Sequence, residues 1–219
     1  MMRPLALFDC DGTLVDSQHS ICAAMARAFD AVKLPAPDRP AILSVVGLSL
    51  PHAMAKLLPE ADDAFHNHVS DQYREAFRTM RSEGDVSEPL YEGIAELLDI
   101  LLARGWLLGV ATGKSDRGLN LCLTQHGILD RFVTLQTADR HPSKPHPGML
   151  MEAMAEAGAV PETTVMIGDT TYDIEMGVSA GVRAIGVNWG YHLPEELIEV
   201  GAVAVAVDSV DLGRHIGTP

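Results

Sequence analysis

Seven residues of this chain are of types that handle phosphate, and they fall in four groups along it: Asp9 and Asp11, Thr112 and Gly113, Lys144, then Asp169 and Asp173. Asp9 and Asp11 follow the apolar run Leu5-Ala6-Leu7-Phe8, which has the length and flanks of a buried strand. Two carboxylates at i and i+2 beside a strand end can reach one side of the next turn, and Gly12 allows that turn to be sharp. Left alone they repel, so they call for a cation, and Mg²⁺ is the natural hard divalent ion for oxygen ligands. An Asp held against such an ion can attack phosphorus and form an aspartyl-phosphate. The Thr112 hydroxyl and a backbone N–H at Gly113 can hold a phosphate oxygen. Lys144 lies in Pro142-Ser143-Lys144-Pro145-His146-Pro147, where the prolines reduce the entropy lost in fixing an ammonium. Four carboxylates and a phosphate dianion would crowd one pocket with negative charge. At about 4 Å and an effective dielectric of about 20, each like pair costs roughly 4 kcal/mol. Mg²⁺ and Lys144 make such a pocket tolerable.

The elements that must position these groups are legible in outline. After the first strand, 17–32 reads as a helix with Ile21, Ala24, Met25, Ala28 and Phe29 on one face, its start capped by Asp16 or Ser17. A Pro-rich break at 34–40 precedes helical stretches at 41–46, 51–58 and 61–82, and no strand-like run occurs before 87. From Pro89 onward helices and strands alternate. Helices are expected at 91–104, 116–126, 147–157 and 174–180, and strands at 106–110, 132–135, 164–167, 184–187 and 202–207. Repeated β-α-β units with short connections make an α/β fold, a parallel sheet with helices on both faces. Ligands of such sheets sit at the carboxyl ends of the strands, where each polar group above falls.

Bulk properties narrow the partners. The 219 residues suit one domain or a core with a smaller insertion. At 47% hydrophobic, the chain reads as soluble and globular, and no apolar stretch is long enough to span a bilayer. A net charge of −14 argues against nucleic acid or an anionic membrane as partner. The first residues lead straight into the strand without room for a signal peptide. Three widely spaced cysteines without C-x-x-C fit a reducing, cytoplasmic setting.

Phe8-Asp9-Cys10-Asp11-Gly12-Thr13-Leu14-Val15-Asp16-Ser17 resembles the first motif of the haloacid dehalogenase-like hydrolases, in the branch acting on phosphate. Thr112-Gly113, Lys144 and Gly168-Asp169-x-x-x-Asp173 follow with the order and spacing of that family's other motifs. The likeness runs over essentially the whole chain and implies a Rossmann-like catalytic core (1–16 and 87–219) with an inserted all-helical cap domain (17–86). It implies that Asp9 is the nucleophile and a Mg²⁺ ligand. Asp11 then protonates the leaving alkoxide, takes a proton from the hydrolytic water and lends its backbone carbonyl to the metal. Asp169 is a metal ligand and Asp173 a ligand or its support. Thr112 and Gly113 hold the phosphoryl group, and Lys144 balances charge. The loop Val46-Gly47-Leu48-Ser49-Leu50 resembles the cap loop facing the site in phosphoglycolate phosphatase-like members, which puts Gly47 and Ser49 near the leaving group. Gly186-Val187-Asn188-Trp189-Gly190-Tyr191 also looks like that group. The expected activity is hydrolysis of a small phosphomonoester, phosphoglycolate-like or a sugar phosphate, by a monomer or homodimer. A phosphomutase, a pyrophosphatase and a non-catalytic binding protein are the alternatives.

Other residues have plainer readings. Lys114 is expected at the surface. Tyr73, Arg74 and Arg81 could touch an anion but read first as a solvated helix face. Asp173 could simply cap the helix after it. Cys10 points away from its flanking aspartates and should be packed. His66 and His68 do not converge on a metal at helical spacing.

Overall fold

The strand that leads into Asp9 is at the centre of the sheet. In the computed structural model, which describes residues 3–218, β1 (Leu5–Phe8) is followed by four helices, α1 (Gln18–Ala31), α2 (Arg39–Leu43), α3 (Leu50–Leu57) and α4 (Asp63–Glu83). The alternating part then runs α5 (Ile94–Ala103), β2 (Leu107–Thr112), α6 (Asp116–Gln125), β3 (Thr134–Thr137), α7 (Gly148–Ala157), β4 (Thr164–Gly168), α8 (Thr171–Ser179) and β5 (Arg183–Val187). It ends with α9 (Pro194–Glu199), β6 (Ala204–Ala206) and α10 (Ser209–Ile216). All pairings are parallel, in the order β3-β2-β1-β4-β5-β6. The order reverses between β1 and β4, and the crevice at the carboxyl ends of those two strands is where such sheets bind ligands.

β1 is buried on both faces, and its alternation sets the layers. Ala6 and Phe8 pack with Leu98 and Leu101 of α5, Leu119 of α6 and Leu212 of α10. Leu5 and Leu7 pack on the opposite face with Met149, Leu150 and Ala153 of α7 and Met176 of α8. Helices α1–α4 have a core of their own, in which Ile21, Met25 and Phe29 of α1 meet Ile42, Met54 and Val69. Capping delimits the long α4: Asp62 accepts a hydrogen bond from the Phe65 N–H, and Gly84 closes the helix in the left-handed region at φ 80°.

Differences from the sequence expectation lie mostly at element ends. The helix expected from 174 begins at Thr171, because Asp173 accepts hydrogen bonds from the Thr170 N–H and hydroxyl and so organises the first turn. The third strand begins at Thr134, the residue in register with Gly109. Helices α9 and α10 were not expected. Their short amphipathic segments gain stability from packing Leu197 and Leu212 on the sheet. Among the described residues, no helix is long and apolar enough to cross a membrane.

Candidate active site

Four segments deliver the polar groups to one place. β1 ends at Phe8, and the backbone then turns through Gly12, at φ 87°, so that Asp9 and Asp11 leave the strand end in different directions. Asp9 faces β4. Its carboxylate, that of Asp169 and that of Asp173 offer oxygens that all lie within 4.8 Å of one another, and all three residues are buried. Lys144 Nζ sits 2.8 Å from Asp9 Oδ1 and 2.6 Å from Asp173 Oδ1, and its side chain is fully buried. The loop that holds it carries a cis Lys144–Pro145 peptide. Thr13 Oγ1 donates to Asp169 Oδ1 at 2.7 Å and the Tyr191 N–H to Oδ2 at 3.0 Å, which fixes that carboxylate. Asp173 caps α8 with one oxygen, as its plainer reading held, and its other oxygen faces Lys144.

This donor set fits a hard divalent cation. Lys144 is the only ammonium facing the three carboxylates among the described residues, and both Asp9 oxygens are buried without a well-directed hydrogen-bond donor. Burial pushes the Asp9 carboxyl up to about 7; Lys144 pulls it down, and Asp173 adds to the rise. Asp169 is pushed up as well, by burial and then by Asp173 and Asp9. Such shifts are what buried carboxylates crowded by like charge show, and a divalent ion with oxygen ligands would offset both the burial and the repulsion. Small residues leave room around the cluster, for a side chain at Gly12 or Gly190 would run into Asp169, and one at Gly168 into Asp173.

Asp11 faces the other way. The Ser17 hydroxyl donates to its Oδ1, and Lys114 Nζ lies 2.8 Å from the same oxygen. Lys114 is therefore not the surface residue that its position suggested. Its flexible stem folds back across the strand ends to reach Asp11 and also Glu88 Oε1, at 2.7 Å. Burial alone would lower its pKa, but Asp11 and Glu88 hold it well above its usual range. Arg81 Nη2 reaches the second Glu88 oxygen at 2.6 Å. A line of alternating charge thus runs from Asp11 through Lys114 and Glu88 to Arg81 of α4. The sequence reading missed Glu88, 26 residues from Lys114, and no local pattern marks it.

Thr112 ends β2 and is buried; its hydroxyl accepts a hydrogen bond from the Lys114 N–H at 3.2 Å. Gly113 lies under the inserted helices: a Cβ there would meet the Leu48 carbonyl at 2.6 Å and that of Gly47 at 2.7 Å. Between α1, α2, α4 and these strand ends is a chamber of about 480 Å³, lined by Asp9, Asp11, Thr112, Gly113 and Gly47 among others. Tyr73, Arg74 and Arg81, read first as solvated, also line it. Ser49 is placed outside the chamber wall. Its N–H donates to Ser143 Oγ at 2.9 Å and its hydroxyl meets His52 Nδ1, so it fastens the insert to the Lys144 loop. Tyr172 does the same farther out, donating to the Ser44 carbonyl and accepting from Lys56. A second cleft of about 600 Å³, between α3 and α8–α9, contains none of the carboxylates of the cluster. Cys10 is buried in the core as expected, and His66 is buried with Nε2 on the Leu58 carbonyl.

Comparison with known proteins agrees with this geometry. The chain is 38% identical over 203 residues to IndB of Dickeya dadantii, described as a probable phosphatase, a match covering 90% of this chain and 86% of that protein. It is 30% identical to a phosphoglycolate phosphatase of Haemophilus influenzae over 84% of this chain and 85% of that one. A solved structure described as a predicted phosphatase from Clostridium acetobutylicum superposes with a TM-score of 0.89 at 25% identity, covering 99% of both chains. The model of the haloacid dehalogenase-like hydrolases matches residues 6–187. With the parallel sheet, the strand-end carboxylates and this match over most of its length, the chain belongs to the haloacid dehalogenase-like hydrolase family.

Proposed function

We propose that the protein is a Mg²⁺-dependent phosphatase that hydrolyses a small phosphomonoester through an aspartyl-phosphate on Asp9. The observation that carries this reading is the division of labour at the end of β1. Asp9 faces Asp169, Asp173 and Lys144, whereas Asp11 faces Ser17 and Lys114 on the chamber side. One carboxylate is thereby placed for attack and the other for proton transfer.

Asp9, Asp169 and Asp173, with the Asp11 backbone carbonyl, would hold the ion. When bound, Mg²⁺ supplies the positive charge that lets a phosphate dianion approach a carboxylate. An Asp9 oxygen attacks phosphorus, and the bond from phosphorus to the ester oxygen breaks as Asp11 passes its proton to the departing alkoxide. Thr112 and Gly113 orient the phosphoryl group, and Lys144 balances charge on it and on Asp9. Asp11, now a carboxylate, takes a proton from a water that attacks phosphorus. The bond to Asp9 breaks, inorganic phosphate forms, and both carboxyl groups return to their starting states. Helices α1–α4 act as a cap that excludes bulk water and meets the leaving group through Gly47, with Ser49 fastening it to the core. Phosphoglycolate phosphatase relatives support the phosphomonoester class, and three free cysteines agree with a reducing compartment.

Phosphate release from a panel of phosphate esters and pyrophosphate, with Mg²⁺ or EDTA, tests the proposal. Release is expected only with Mg²⁺ and is expected to fall to background in Asp9→Asn. An Asp9→Asn protein that still turns over would overturn the nucleophile assignment.

A further inference from the structure

The chamber beside Asp9 is large, and its composition changes sharply with distance from the carboxylates. Its volume of about 480 Å³ lies in the range of sites that enclose drug-sized ligands, about 300–1,000 Å³. Away from the strand ends the wall is built from Met25, Ile42, Val45, Tyr73, Phe77 and Leu121. Tyr73 and Phe77, one turn apart on α4, present tilted rings with centroids 5.9 Å apart. They are the chamber's two aromatic side chains.

The cations bordering this space are already engaged or lie at its mouth. Lys114 is held between Asp11 and Glu88, and Arg81 is held by the buried Glu88. Arg74 and Arg78 pair with Asp71 and Glu75 on the outer surface of α4. Arg117 is exposed and has no carboxylate partner among the described residues, but it stands on the α6 side of the opening. A second anionic group one or two bonds from the transferred phosphate, as in phosphoglycolate or pyrophosphate, would find no uncommitted side-chain cation beside Asp9. It would instead displace a buried ion pair, which is unfavourable.

We infer that the substrate is a phosphomonoester whose alcohol bears a ring and is largely apolar, its ring lying against Tyr73 and Phe77. This rests on the phosphatase reading and narrows its substrate. Apolar walls reward apolar surface: even one methylene in a hydrophobic pocket discriminates about 10–200-fold. A bicyclic ring adds several methylenes' worth of area, together with stacking against the two aromatic side chains.

The test compares esters with leaving groups of matched basicity, so that chemistry is equal and only the chamber differs. Ethyl phosphate and 2-(1-naphthyl)ethyl phosphate both release primary alkoxides; 2-phosphoglycolate and pyrophosphate complete the panel. With Mg²⁺, kcat/KM for the naphthyl ester should exceed that for ethyl phosphate by at least about tenfold. Leu121→Glu, at a position 41% exposed and so tolerant of charge, should shrink that ratio, and Phe77→Ser should shrink it further. Calorimetry with the corresponding phosphonates supplies a readout independent of turnover, and 2-(1-naphthyl)ethylphosphonate should bind at least about tenfold more tightly than ethylphosphonate. Equal kcat/KM and equal affinity for the two compounds, or preference for phosphoglycolate or pyrophosphate, would overturn the inference and leave the phosphatase reading standing. Failure of the folded, Mg²⁺-supplied protein to release phosphate from every compound would overturn the phosphatase reading and the inference together.

Discussion

Asp9 and Asp11 leave the same strand end yet meet opposite electrostatic surroundings. Asp9 is crowded by Asp169 and Asp173 and opposed by Lys144, whereas Asp11 is held by Lys114 and the Ser17 hydroxyl. The orientation of Lys114 depends in turn on Glu88, whose side chain is 1% exposed and whose oxygens face Lys114 and Arg81. Burial would push the Glu88 carboxyl up, but the two cations outweigh it and hold it below its ordinary value of 4.5. A folded-state pKa below the unfolded one stabilises the protein above the unfolded pKa, and this contribution is lost as pH falls through the folded pKa. Glu88→Gln leaves Lys114 and Arg81 without their shared partner and should destabilise the protein by about 3 kcal/mol near neutral pH. Denaturant unfolding of both proteins over a pH series should show their stabilities converging at acid pH. A constant gap throughout would mean that Glu88 acts by packing and not by charge.

At the scale of elements, the site is made by the inserted helices lying on strand ends. Contact is close where Gly47 and Leu48 cross Gly113, and it is extended by the Ser49–Ser143 hydrogen bond and the Tyr172 hydroxyl. Val45, Leu48 and Ala53 pack with Tyr172 of α8, so an apolar patch accompanies these polar links. A methyl at Gly113 meets two backbone carbonyls, which cannot rotate aside as a side chain would. Gly113→Ala should therefore lift the insert from the strand ends and lower kcat/KM by up to about 100-fold, the scale of a misplacement near 1 Å. The sheet core does not depend on that contact, so the thermal midpoint should change little. Steady-state kinetics and a thermal scan on the same preparation check this, and unchanged kcat/KM would show that the insert tolerates the shift.

At the scale of the whole molecule, the buried carboxylate cluster is a burden on the fold. Three buried carboxylates face one ammonium in a protein already at −14. An ion that binds the folded state alone stabilises it by about 2.7 kcal/mol at a hundredfold excess over Kd. For a chain of this size each kcal/mol raises the midpoint by about 2–4 °C. Mg²⁺ should accordingly raise the midpoint by several degrees and EDTA should reverse the change. Asp169→Asn, which removes one carboxylate charge from the cluster, should reduce the shift while leaving the EDTA midpoint no lower. A midpoint indifferent to Mg²⁺ in the unaltered protein would count against a divalent ion at this cluster.

The sequence by itself determined the sheet, its helix layers and the seven strand-end and loop residues of the candidate site. The reason is local: strand alternation and short connections put Asp9, Thr112 and Asp169 at strand ends whatever the rest of the chain does. Element ends were less legible. The start of α8 was set by Asp173 capping Thr170, and α9 and α10 are short helices stabilised by burial against the sheet. Only the tertiary structure decided how Lys114, Glu88 and Arg81 join, because segments far apart in the chain bring them together and a flexible lysine stem carries no directional signal. The same holds for the chamber. Helical periodicity makes α4 amphipathic, but it cannot say that Tyr73 and Phe77 face the catalytic strand ends rather than solvent. That orientation is set by where the insert docks, on Gly113, Ser143 and Tyr172.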